Sequence, residues 1–121
     1  MRILIACSRA VACSALKGLL QNRPDLVVVA EAADAREMVE RAEATSPDVV
    51  ILDSELSNGP REDLIASLRQ LDCQPTVIVL GSFRERERYG QVGGADAFVS
   101  KSDPPKSLLT SLYAVHLEER Q

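Results

Sequence analysis

The sequence predicts an α/β domain: a doubly wound, five-stranded parallel sheet with helices on both faces. Three observations predict it. Five short, continuous apolar runs recur along the 121 residues, and such runs suit strands buried on both faces. Segments with helical period lie between them. Turn formers and helix caps fall at the joins. A chain of this length makes one domain with a core of its own, since domains run to roughly 100–150 residues.

The first strand is Ile3-Leu4-Ile5-Ala6. Val11, Ala15, Leu16, Leu19 and Leu20 then form an apolar stripe on a first helix. Pro24-Asp25 separates that helix from the second strand, Leu26–Ala30. Asp34 is placed to cap a second helix, whose stripe is Ala35, Met38, Val39 and Ala42. Ser46-Pro47-Asp48 ends it before the third strand, Val49–Leu52. Leu64, Ile65, Leu68 and Leu71 mark a third helix, and Thr76–Leu80 is the fourth strand. A short or irregular fourth helix is expected over Arg84–Tyr89, where five charged residues run together and Gly90, Gly93 and Gly94 follow. Ala97–Val99 is the fifth strand. Asp103-Pro104 reads as the N-cap and first residue of a last helix, with Leu108, Leu109, Leu112 and Tyr113 inward. Strand–helix alternation of this kind demands crossovers and a parallel sheet.

Composition narrows the function. The net charge of −4 argues against direct nucleic-acid binding, which needs a basic footprint. Four aromatics (Phe83, Tyr89, Phe98 and Tyr113) make no base-stacking platform. No apolar run approaches the roughly 18 residues of a membrane span, and the start of the chain does not read as a signal peptide. The expected location is the cytoplasm. Cys7, Cys13 and Cys73 are an odd count at irregular spacing, with no CxxC pair and one histidine, so free thiols are expected and a structural zinc site is not.

In an open parallel sheet, ligands bind beyond the carboxyl ends of the strands. Those ends carry Cys7 and Ser8, Asp53, Gly81 and Ser82, and Lys101. Around them run Pro47-Asp48-Val49-Val50-Ile51-Leu52-Asp53 and Gly94-Ala95-Asp96-Ala97-Phe98-Val99-Ser100-Lys101. With Leu26–Asp34, these segments resemble the receiver domain of bacterial response regulators of the NarL/LuxR type over nearly the whole chain. The resemblance implies a CheY-like, flavodoxin-like fold with strand order 2-1-3-4-5. It implies a signalling role in two-component transduction, not an enzyme. Asp53 would stand at the phosphoacceptor position, Lys101 would contact the phosphoryl group, and Phe98 would be the switch aromatic. A histidine kinase would be the phosphoryl donor, with magnesium as cofactor. Protein partners, a homodimer, and a signalling face of fourth helix, fifth strand and fifth helix are also implied. Such receivers precede a helix-turn-helix domain, so the chain is expected to be trimmed from a transcription regulator.

The sequence departs from the family at the chemistry. Cys7 and Ser8 stand where the family has an acidic pair. Gly81 stands where it has Thr or Ser, with Ser82 one place later, and Ser57 stands where it has proline. Magnesium demands oxygen ligands and carboxylates, and thiol and hydroxyl are poor substitutes. Each missing carboxylate removes about 4 kcal/mol of attraction at 4 Å and an effective dielectric near 20, partly offset by desolvation. Weak or absent magnesium binding, with no resident cofactor, is therefore expected. Asp53 and Glu55 are the only metal candidates, and Asp53 is expected to pair directly with Lys101. Two alternatives stay open: a working phosphoacceptor receiver at Asp53, and a small-ligand or redox-sensing receiver that reuses the pocket.

Overall fold

The computed structural model describes residues 1–56, 61–81, 95–101 and 103–120, with the side chains of 61–63 and 116–120 outside that description. Within them run β1 (Arg2–Ala6), α1 (Ala10–Gln21), β2 (Val27–Ala32), α2 (Ala35–Thr45), β3 (Val49–Asp53), α3 (Arg61–Arg69), β4 (Thr76–Gly81), β5 (Ala97–Ser100) and a last helix, α4 (Pro105–Arg120). The five strands form one sheet in the order β2-β1-β3-β4-β5, and every pair is parallel. The expected doubly wound fold and strand order are thus both present. Ser57, Ser82 and the fourth helix expected over 84–89 lie outside the described residues.

Apolar residues at consecutive positions along a strand go to opposite faces, so an unbroken apolar run feeds two cores. Leu4, Ala6, Val50, Leu52, Val77 and Val79 face α2 and α3, where Met38, Ala42, Leu64, Ile65 and Leu68 meet them. Ile3, Ile5, Val49, Ile51, Ile78 and Leu80 face the other side, against Leu20 of α1 and Leu108, Leu109 and Leu112 of α4. All of β3 and β4 is buried. The ends of β3 and β4 therefore sit at the middle of one sheet edge, held by layers above and below.

Helix termini follow their local chemistry. Asp34 Oδ1 accepts the Glu37 N–H at 2.9 Å, and Glu37 Oε2 reaches back to the Ala33 N–H at 3.2 Å, a reciprocal cap that starts α2. Ser46 ends that helix in the left-handed region, at φ 48°. Asp103 does not cap α4 as expected. Its Oδ2 accepts the Ser100 N–H at 3.1 Å, and its own N–H bonds the Ser100 carbonyl at 3.0 Å. The turn closes on the end of β5, and the helix begins at Pro105. The stripe on α1 also differs from expectation. Val11 is 85% exposed, and Ala15 is exposed too, on the wall of an open groove between α1 and α4.

Asp34→Ala removes the acceptor for Glu37 and should lower unfolding free energy by about 1 kcal/mol. Urea denaturation followed by circular dichroism measures this, with an unchanged slope showing that the fold is kept.

Candidate functional site

Three loops deliver the site at the carboxyl ends of β1, β3 and β5. Asp53 is the last residue of β3 and pairs in register with Leu80 of β4. It is 5% exposed, so its carboxylate stands at the bottom of the site and not on its rim. Lys101 follows β5 directly, and its N–H bonds the Gly81 carbonyl at 2.9 Å, which fixes where its side chain starts. Lys101 Nζ then donates to Asp53 Oδ1 at 2.9 Å. The same Asp53 oxygen accepts the backbone N–H of Glu55 at 2.8 Å, so the turn after β3 wraps around the carboxylate. The expected Asp53–Lys101 pair is present.

Glu55 adds a second acid. Its Oε2 lies 3.4 Å from Lys101 Nζ and 3.4 Å from Arg9 Nε. The four charges therefore form a chain, Asp53–Lys101–Glu55–Arg9, with two of each sign. Partial burial pushes the Lys101 ammonium down, but the hydrogen bond and charge of Asp53, with those of Glu55, outweigh it and leave it raised above its ordinary 10.5. Arg9 was missed in the sequence. It lies two residues past Cys7, at the N-cap of α1, without a side-chain bond to the helix.

Gly81 is buried at the end of β4, and Phe98 lies half-buried against the α2–α3 core. Ser8 is exposed at the end of the turn after β1. Cys7 is not the free thiol expected. It is bonded to Cys13 with 5.9 Å between the two Cα atoms, a separation typical of disulfides. The turn through Arg9 folds the first helical turn back over the strand end, with the Cys13 N–H on the Arg9 carbonyl at 3.0 Å. Cys13 gave no sign of a role in the sequence; its spacing from Cys7 was the available signal. Cys73 remains a thiol, its pKa raised by burial. Among the described residues, no cluster of three or more His, Cys, Asp or Glu could hold a metal ion. No described helix is long and apolar enough to cross a membrane.

Sheet order and these strand-end residues define a class, and comparison with known proteins agrees with it. The sequence model of the response regulator receiver domain matches residues 3–113, and the chain belongs to that family. The oxygen regulatory protein NreC of Staphylococcus aureus is 32% identical over 124 residues, covering 98% of this chain and 56% of NreC. The chain thus spans about half the length of this curated relative. A LuxR-family two-component response regulator from Aurantimonas sp. SI85-9A1 superposes with a TM-score of 0.80 at 28% identity, over 94% of this chain and 83% of that one. The chemotaxis protein CheY4 of Vibrio cholerae shares the fold, with a TM-score of 0.79 at 22% identity over 94% of this chain and 97% of its own.

A raised Lys101 pKa has a definite consequence for stability. The pair contributes fully below the unfolded lysine value, about 10.4, and the contribution is lost as pH rises through the folded value. Because Lys101 is 40% exposed, solvent screens the pair and its coupling should be about 1 kcal/mol. A double-mutant cycle of Lys101→Met with Asp53→Asn, read by urea unfolding at pH 8 and then at rising alkaline pH, should show that coupling at pH 8 and its progressive loss as the lysine deprotonates.

Proposed function

We propose that this receiver is a signalling module that works through protein contacts, with magnesium-dependent phosphorylation of Asp53 impaired. The observation that carries this reading is the occupation of Asp53 Oδ1 by Lys101 Nζ and the Glu55 N–H, beside a strand end that offers Cys7 and Ser8 in place of two acids. A magnesium ion needs hard oxygen donors and uncompensated negative charge. Here Cys7 is bonded sulfur, Ser8 brings a neutral hydroxyl, and the carboxylates of Asp53 and Glu55 are each matched by a cation. The donor set does not fit the ion. Asp53 is then a structural acid that orders the start of the turn after β3, through the Glu55 N–H, and the end of the Lys101 side chain.

The relatives support a setting for the module. The LuxR-family relative is a two-component response regulator, and we read the same setting for this domain. In that setting the output is transcription regulation, through a DNA-binding segment distinct from this domain. A second copy of the chain and a histidine kinase are then the protein partners, the kinase engaging the domain without efficient phosphoryl transfer. The competing reading, a working phosphoacceptor, rests on Asp53, Lys101 and Glu55 lying together at one sheet edge.

Substitution separates the two readings. The natural chain should show no magnesium binding by calorimetry in the sub-millimolar range and only trace labelling of Asp53 by a small phosphodonor. The double variant Cys7→Asp, Ser8→Asp restores two carboxylates and should gain both. Efficient labelling of the natural chain would establish the working-receiver reading instead.

A further inference from the structure

We propose that Cys7 and Cys13 are a reversible thiol–disulfide pair, a redox-modification site that sets the position of the first turn of α1 beside the Asp53 pocket. Low-molecular-weight thiols of the glutathione class, and their disulfides, are the exchange partners.

Both redox states are provided for. As a disulfide, the two residues close a loop with a sequence separation of 6. As thiols, each would have an acceptor within reach. Cys7 Sγ lies 3.3 Å from the Arg9 carbonyl oxygen, and Cys13 Sγ lies 3.1 Å from the Cys7 carbonyl oxygen. Reduction therefore strands no polar group. A loop this short constrains the unfolded chain less than a long one, so the bond is a local tie between β1 and α1. Cys7 is itself held without it: the residue is 2% exposed, and its N–H bonds the Ala32 carbonyl at 2.9 Å.

The other end of the bond is the part that depends on it. The first turn of α1 has no side-chain cap and no acidic residue to oppose the helix dipole, and its one fully buried residue, Leu20, lies at the far end. Val11, in that first turn, is 85% exposed. The first turn itself is held by the partly buried Ala12 and Cys13, so it opens more readily than the core, and the Cys7–Cys13 bond anchors it to the sheet.

Exchange has a route. A cleft of about 380 Å³ has both cysteines in its wall, rimmed by the ion pairs Lys17–Glu31 and Arg41–Glu37. Cys13 is the more exposed of the two, so an incoming thiolate attacks Cys13 Sγ. The S–S bond breaks, and Cys7 leaves as a thiolate that takes up a proton. A second thiol then attacks the mixed disulfide and releases Cys13, so two small thiols become one small disulfide. The reverse sequence oxidises the pair with that small disulfide as oxidant.

The loop also reaches the charged site. Arg9 lies inside it, and Arg9 Nε is 3.4 Å from Glu55 Oε2, which is 3.4 Å from Lys101 Nζ. Opening the loop releases Arg9 from Glu55 and changes the charge felt by Lys101. Cys73 lies elsewhere, its Sγ 4.0 Å from the Ala42 carbonyl of α2, and serves as an internal control.

The test equilibrates the chain in glutathione buffers of graded ratio, traps thiols by alkylation and maps them by peptide mass. Nuclear magnetic resonance spectra are recorded at the same ratios. Cys7 and Cys13 should gain label together with a single reversible midpoint, Cys73 should follow no such transition, and circular dichroism should stay constant. The amide signals of Arg9, Glu55 and Lys101 should move with the midpoint in the natural chain and stay fixed in Cys13→Ser. The proposal is overturned if Cys7 and Cys13 never pair, if reduction unfolds the domain, or if those three signals ignore the redox state. Magnesium binding at Asp53 is read separately, so either proposal can fail alone.

Discussion

The hydrogen-bonded ion pair between Lys101 Nζ and Asp53 Oδ1, 2.9 Å across 48 residues of sequence, organises this end of the molecule. It joins the end of β3 to the end of β5, with β4 between them. Asp53 is almost fully buried, and a buried carboxylate without a partner would carry a heavy desolvation cost. Lys101 supplies the compensating charge, and the Glu55 N–H supplies a second donor. Everything near the site takes its position from that constraint. The turn after β3 is drawn in, Glu55 is brought under Lys101, and Arg9 meets Glu55 from the start of α1.

A divalent cation is held by an excess of negative charge; here two acids and two bases neutralise one another. Cys7 contributes a covalent link to α1. On the proposed reading, the domain keeps the receiver scaffold and exchanges an ion-operated site for one governed by direct pairing and by the redox state of a neighbouring loop.

The sequence made the sheet legible because buried parallel strands are written as unbroken apolar runs: Val49–Asp53 and Thr76–Gly81 are buried throughout. Asp34 was readable as a cap because its effect is local, over three residues. Asp103 misled for the same reason: a capping residue beside a proline looks the same whether its carboxylate turns forward to a helix or back to Ser100. Val11 misled because periodicity marks a helix but not whether its neighbour is near enough to cover it. At the site, Asp53 and Lys101 were readable from the family resemblance. Arg9 and the Cys7–Cys13 bond were not, because both depend on how sharply the chain turns between β1 and α1. That angle is set by packing, and no residue type in the turn announces it.

On this reading, direct pairing with Lys101 has replaced metal-operated chemistry at Asp53. Nuclear magnetic resonance of the chain titrated with magnesium and then beryllofluoride, a phosphoryl mimic, tests it most directly. If the pair holds the site, the signals of Asp53, Gly81 and Lys101 stay where they are through both additions. A second, saturable set of signals at those residues on adding beryllofluoride with magnesium would contradict it.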